Sequence, residues 1–335
     1  MQYQEQAILF ITVLLAGVIL TVLAERWLIP VLKSHKMGQK ILDIGPRWHK
    51  SKEGTPTMGG LAFLIVSAVI MAGVAAFAAA QGWNEAWTAA FLGYGLALAN
   101  GAIGIFDDYT KLVHKQNEGL TPKQKLLLQL LAAGLYLFGM RAAGLLETTL
   151  YIPYAGIEWE LGIFYYIFAL ILICGVVNAV NLTDGIDGLA SCVTAAVAAF
   201  FAVCSFVAYR ADTAAFTVLP ALICGICLGF LVYNYYPARV FMGDTGSLFL
   251  GGAVVAMAFI INNPLIIVVA GLLYIIECVS VMLQVLYFKC THGKRLFRMA
   301  PIHHHFEKGG WSEPKVVAVF TVFTVCMCVI AFFGR

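Results

Sequence analysis

Ten apolar runs dominate this 335-residue chain: 7–29, 58–80, 88–106, 125–140, 161–179, 188–208, 214–233, 246–262, 264–288 and 315–333. Crossing a bilayer takes about 20 apolar residues in a helix, and in hydrocarbon a helix satisfies its own backbone polar groups. The predicted fold is therefore an all-α polytopic membrane protein of about ten transmembrane helices, forming a single domain over 1–335. Composition agrees, because 12% of residues are charged against about 25% in a soluble chain. The fourth run is short, pressed between Lys123, Lys125 and Arg141. A nine-span arrangement without it would put the two basic loops on opposite faces. The first run follows MQYQEQ, which lacks the positive n-region of a signal peptide, so it is expected to be a retained span.

Charge sets the expected orientation. Basic residues mark the inner face of a membrane protein. Lys33, Lys36, Lys40, Arg47, Lys50 and Lys52 follow the first run, with Arg26 near its inner end; Lys111, Lys115, Lys123 and Lys125 follow the third. Arg239 follows the seventh, and Lys289, Lys294, Arg295, Arg298, Lys308 and Lys315 follow the ninth. The other face keeps only Arg141, Arg210 and Arg335. Both termini are thus expected outside, with the long segments 30–57, 107–124, 180–187, 234–245 and 289–314 inside. Segment 141–160 is the one long external link, and its alternation around Pro153 and Gly156 fits a small hairpin. The nine cysteines lie almost entirely in apolar runs, where small core residues are the ordinary case. Cys224 and Cys227 have CxxC spacing without a second ligand pair, so neither a zinc site nor a disulfide framework is expected. No internal repeat is visible.

Five aspartates stand at the inner ends of these runs. Asp107 and Asp108 (FDDYTK) are expected to end the third helix, where the helix dipole disfavours negative charge and a cation would compensate. Adjacent helical residues point about 100° apart, so the two carboxylates should do different work. In NAVNLTDGIDG, Asn178, Asn181, Asp184 and Asp187 recur every three residues, with Gly185 and Gly188 breaking the helix. Such amides and carboxylates suit a sugar or base edge, or cation-bound water; helix capping would account for one aspartate only. Asp244 lies in FMGDTGS just before the eighth helix, as an N-cap or as a metal ligand beside phosphates. Phe241 could stack on a nucleobase or pack the loop. Lys52, in RWHKSKEGTPTMGG, stands where an anionic substrate would meet it, or serves only as a positive-inside marker. His303, His304 and His305 (PIHHHFE) would spread over about 200° of a short helix. That suits phosphate contact better than a shared zinc. Glu277 lies deep in the ninth run without a basic residue, so a protonated acid bonded to a neighbouring helix is expected; Gln284 is the better substrate contact on that face.

GTPTMGG, FDDYTK, NAVNLTDGIDGLA, YNYYPARVFMGDTGS and PIHHHFE, in that order on a ten-span frame, resemble the phospho-N-acetylmuramoyl-pentapeptide transferases. These belong to the wider polyprenyl-phosphate N-acetylhexosamine-1-phosphate transferases. The resemblance covers the whole chain, and PIHHHFE points to the muramoyl-pentapeptide branch. It implies a bacterial plasma-membrane enzyme, a homodimer and antibiotic target. Such an enzyme transfers phospho-MurNAc-pentapeptide from UDP-MurNAc-pentapeptide to the membrane lipid undecaprenyl phosphate, releasing UMP and requiring magnesium (Mg2+). By that resemblance Asp244 and Asp108 hold the metal, and Asp107 deprotonates or orients the acceptor. Lys111 and Lys123 contact phosphates. Lys52, Asn178, Asn181, Leu182, Asp184, Gly185, Asp187, Asn234, Phe241 and Gln284 line the donor pocket, with the three histidines beside it. Direct attack and a phospho-aspartyl intermediate both stay open. No nucleic-acid partner is implied. A cation-coupled transporter fits less well, since the acids gather at one face instead of the midplane.

Overall fold

The computed structural model describes residues 3–35, 52–113, 119–208 and 215–334. Lys36, Lys40, Arg47, Lys50, Lys115, Arg210 and Arg335 lie outside these residues. The chain order is α1 (Tyr3–Ser34), α2 (Leu61–Ala80), α3 (Glu85–Val113), α4 (Pro122–Ala142), β1 (Thr149–Ile152), β2 (Ile157–Glu160), α5 (Phe164–Thr183) and α6 (Leu189–Ala208). There follow α7 (Ala215–Asn234), α8 (Gly243–Ile260), α9 (Ile266–Ala270), α10 (Leu272–Cys290), α11 (Ile302–Glu307) and α12 (Glu313–Phe333). All but α9 and α11 are long and apolar enough to cross a membrane, ten in number among the described residues. The protein is a multi-pass helical membrane protein.

At the centre stands α8, buried without interruption from Thr245 to Ile260. Between helices in lipid, association relies on close packing over small residues, and GGAVVAMA supplies them. The backbone of α3 at Ala97 lies against Gly252, and that of α5 at Val177 against Gly251. α3 packs most extensively on α8, and α1 on α7. Outward, α1 presents Ile8, Ile11, Leu15, Ile19, Leu23 and Trp27, one stripe at helical spacing facing away from the protein.

Three expectations change. The third helix does not end at the aspartates; it runs on to Val113. Asp107 and Asp108 are partnered sideways, so their charge does not terminate the helix. Asp244 lies inside the first turn of α8, with Met242 at the N-cap position. The ninth run is two helices, broken at Gly271, whose N–H closes onto the carbonyl of Ile267. The expected hairpin is present, with Thr149 opposite Glu160 and Ile152 opposite Ile157.

The two ends of the bundle differ. α12 is about 31 Å long at the usual rise. At its far end Tyr154, in the hairpin turn, donates its hydroxyl to the Ile330 carbonyl at 2.8 Å. At its near end Glu313 meets Lys52 and the α5–α6 loop. The motif segments therefore gather at one end and the hairpin at the other. No disulfide forms among the described residues, and all nine cysteines are free.

Candidate active site

Asp107, Asp108 and Asp244 each offer a carboxylate oxygen within 4.8 Å of the others. Three different supports hold them. Asp107 Oδ1 accepts from the Leu120 N–H at 3.0 Å, and Oδ2 lies 2.6 Å from Lys111 Nζ, one turn along α3. Asp108 points the other way, at the N-terminus of α8. It accepts from the N–H groups of Asp244 (3.2 Å) and Thr245 (2.9 Å) and from the Thr245 hydroxyl (2.7 Å). A carboxylate at orphan N–H groups is favourable both as a cap and against the helix dipole. Gly243 is needed at the turn before them: its φ is +69°, and a Cβ there would press on Asp108 Oδ2.

Asp244 is the most solvent-accessible of the three side chains, 19% exposed against 4% for Asp107 and 5% for Asp108. Its Oδ2 accepts from Lys111 (3.0 Å) and Lys125 (2.9 Å), and its Oδ1 from Asn181 Nδ2 (2.9 Å). Asn181 also donates to Ser247 at 2.8 Å. Three carboxylates against two ammonium groups leave an excess of hard, anionic oxygen. That donor set suits a hard divalent cation that keeps waters and meets phosphate.

The polar stripe of α5 is divided among partners. Asn178 pairs with Gln129 of α4 (2.8 Å) and with its own helix carbonyl at Cys174. Leu182 is half-buried at the end of α5. Asp184 caps α5 and is half-buried; burial, then the carboxylates of Asp244, Asp108 and Asp187, push it up to about 8. Asp187 Oδ1 takes Lys52 Nζ at 2.7 Å, and its Oδ2 takes the Ala238 N–H at 2.9 Å. Asn234 clamps the neighbouring loop, accepting from the Gly188 N–H and donating to the Val240 carbonyl. Phe241 is half-buried, its backbone paired with Pro56 and Gly59.

The histidines occupy α11, a short helix of six residues. His303 is fully buried, with Nδ1 3.0 Å from Glu277 Oε2, itself fully buried. The deep acid bonds to a neighbouring helix, as expected, and that helix is the short α11. The His303 ring lies directly over Gly185, where no Cβ would fit. His304 Nδ1 pairs with Glu307 at 2.6 Å, and His305 Nδ1 accepts from the Arg298 N–H at 3.1 Å. Gln284 Oε1 accepts from the Phe297 N–H at 2.8 Å, tying that loop to α10.

Lys123 is exposed in the first turn of α4, while Lys125 is the lysine of that helix on Asp244. A signal for this was present. Lys125, Gln129, Ala132, Ala133, Tyr136 and Met140 follow helical spacing, and the last five are buried. Lys123 falls off that stripe. Glu313, Thr245 and Ser247 were also missed, because an acid or hydroxyl in the first turn of a helix reads as ordinary capping. A second deep acid, Glu25 of α1, is fully buried as well.

A ten-span bundle with acids and lysines converging at one end is the setting of a membrane-embedded phosphosugar transferase. Residues 89–262 match the model of glycosyl transferase family 4. Residues 52–64 match signature 1 of the phospho-N-acetylmuramoyl-pentapeptide-transferases. Relatives bearing that name include a Clostridium acetobutylicum protein, 45% identical over 323 residues, 95% of this chain and 96% of the relative. One from Clostridium perfringens (strain 13) is 46% identical over 310 residues, 91% of this chain and 92% of the relative. Another, from Clostridium kluyveri, is 44% identical over 307 residues, again 91% and 92%. The chain belongs to the phospho-N-acetylmuramoyl-pentapeptide-transferase family, and it is an enzyme.

Proposed function

We propose that the protein transfers phospho-MurNAc-pentapeptide from UDP-MurNAc-pentapeptide to undecaprenyl phosphate. The products are UMP and the first lipid-linked intermediate of peptidoglycan, and magnesium is required. The convergence of Asp107, Asp108 and Asp244 within 4.8 Å, with Lys111 and Lys125 both on Asp244, carries this reading. In the reaction an oxygen of the acceptor phosphate attacks the β-phosphorus of the donor. A new phosphoanhydride forms as the bond to UMP breaks. Asp244 and Asp108 would hold the magnesium, which when bound neutralises the diphosphate and the departing UMP. Asp107, beside Lys111 and at a helix surface away from Asp108, takes or orients a proton of the acceptor phosphate. Lys111 and Lys125 supply fixed positive charge where the phosphates meet, the electrostatic preorganisation that lowers such barriers most. The site would face the bacterial cytoplasm, where the soluble donor is, at the depth of the lipid phosphate.

Donor choice is assigned to the segment between α10 and α12, with Lys294, Arg295, Arg298 and Lys308 for the peptide carboxylates. Each such exposed contact is worth about 1 kcal/mol or less, but several together separate donors by decades. The test is UMP release by purified protein with undecaprenyl phosphate and magnesium, using UDP-MurNAc-pentapeptide or UDP-GlcNAc. Turnover of the first and little of the second is expected. Equal use of both would remove the muramoyl assignment.

A further inference from the structure

Lys52 does not stand alone to meet an anion. Its Nζ lies 2.7 Å from Asp187 Oδ1 and 2.6 Å from Glu313 Oε2, and it sits 6.0 Å from the centre of the Tyr236 ring. The same Glu313 oxygen accepts from the Asp187 N–H at 3.1 Å. Asp187 in turn holds the Ala238 N–H with its other oxygen. One buried carboxylate at the start of α12 thus joins the segment before α2, the α5–α6 loop and, through Asp187, the loop after α7. These three segments carry Lys52, Asp184, Gly185, Asp187 and Phe241 of the proposed donor pocket.

We infer that Glu313 is a positioning residue for the donor: it fixes Lys52 and the backbone of Asp187 at the spacing the donor requires. The assignment rests on the proposed transferase reaction. Three observations support a built brace over a chance surface pair. Glu313 is buried, with 8% of its side chain exposed. Its helix start is itself rigid, since Lys315 sits 4.4 Å from the Trp311 ring centre, Trp311 packs on Phe306, and Phe306 on Phe320. One oxygen also serves two donors on two different segments, so small displacements of α12 move both. Two carboxylates on one ammonium leave the cluster net negative, so Lys52 is poorly suited to capture phosphate by itself. Lys111 and Lys125 do that at the other end of the site, and the brace acts on the donor without touching the acceptor.

The experiment is steady-state turnover of the purified full chain in detergent, varying donor and acceptor separately, for wild type, Glu313→Ala, Glu313→Gln and Glu313→Asp. Glu313→Ala is expected to raise the donor KM on the order of tenfold to a hundredfold, the range for a lost bond to a charged group. The acceptor KM and kcat should change by less than about threefold. Glu313→Gln keeps a carbonyl that can accept from both Lys52 and Asp187, so it should restore most of the donor KM. If Glu313→Ala is not recovered folded, Glu313→Asp carries the test, because it keeps the charge but is one methylene too short to reach both donors. An unchanged donor KM, or equal loss in kcat and both KM values, would overturn the positioning role. Absence of UMP release by the wild type would instead overturn the reaction on which it rests.

Discussion

Asp108→Asn separates two roles that one carboxylate combines. Asp108 accepts three hydrogen bonds from the first turn of α8. The asparagine keeps one carbonyl, enough for Thr245, but turns an NH2 group toward the Asp244 N–H. One bond is lost and two lose their charge. Bonds to charged groups contribute about 1.5–3 kcal/mol and neutral ones about 0.5–1.5 kcal/mol, so the gross loss is about 4 kcal/mol. Removing a buried charge beside two other carboxylates offsets about half of this. The net destabilisation is about 2 kcal/mol, a drop of about 3–6 °C in melting temperature. Turnover should fall further, by about two to three decades, as for loss of one preorganised electrostatic contact. Thr245→Val is the control. It removes one hydroxyl donor and no charge, so it should cost about 1 kcal/mol and leave turnover within tenfold. The assay is thermal unfolding of detergent-purified protein without metal, beside UMP release. An Asp108→Asn protein that melts at or above the wild-type temperature would refute capping of α8 as the support for Asp244.

Lys125→Gln removes one of two ammonium groups on Asp244 and should raise the acceptor KM at least tenfold, whereas Lys123→Gln, on the exposed side of the same turn, should leave it unchanged. Asp184 has its carboxyl pushed up to about 8, against about 3.9 in an unfolded chain. The folded state therefore holds a proton that the unfolded state releases, so this group's contribution falls as pH rises from about 4 to about 8 and then levels off. In metal-free protein Asp184→Asn should flatten that slope, by up to about 1.4 kcal/mol per pH unit; superimposable melting profiles from pH 5 to pH 8 would contradict the assignment.

The spans were legible because each is a long apolar run, and the hairpin because its alternation breaks at Pro153 and Gly156. The motif aspartates were legible as charges that need partners, but not their place in the helices: Asp107 and Asp108 lie within α3, and Asp244 in the first turn of α8. What was not legible is which partner each found. Asn178 and Asn181 share a stripe, yet one reaches Gln129 of α4 and the other Asp244 of α8. The extension of α3 past Asp107 depended on Lys111 and on the N–H groups of α8, a contact 136 residues away in sequence. Glu313 is farther still from Lys52, at 261 residues, and no local pattern marks it. His303 read as one of three phosphate-facing histidines and Glu277 as an acid with an unnamed partner; only packing of α11 onto α10 makes them a pair. Periodicity reports which face of a helix is buried, whereas a site assembled from six segments depends on how those faces meet.

Placement of the phosphates tests the proposed reaction most directly. UDP-MurNAc-pentapeptide labelled separately at the α- and β-phosphorus is incubated with the purified protein, undecaprenyl phosphate and magnesium, and label is followed into nucleotide and lipid. Transfer of a phosphosugar through the site of Asp107, Asp108 and Asp244 predicts all α-label in UMP and all β-label in the lipid diphosphate. Both labels appearing together in UDP, with an unlabelled glycolipid, would mean that the sugar alone is transferred and would contradict the proposed chemistry.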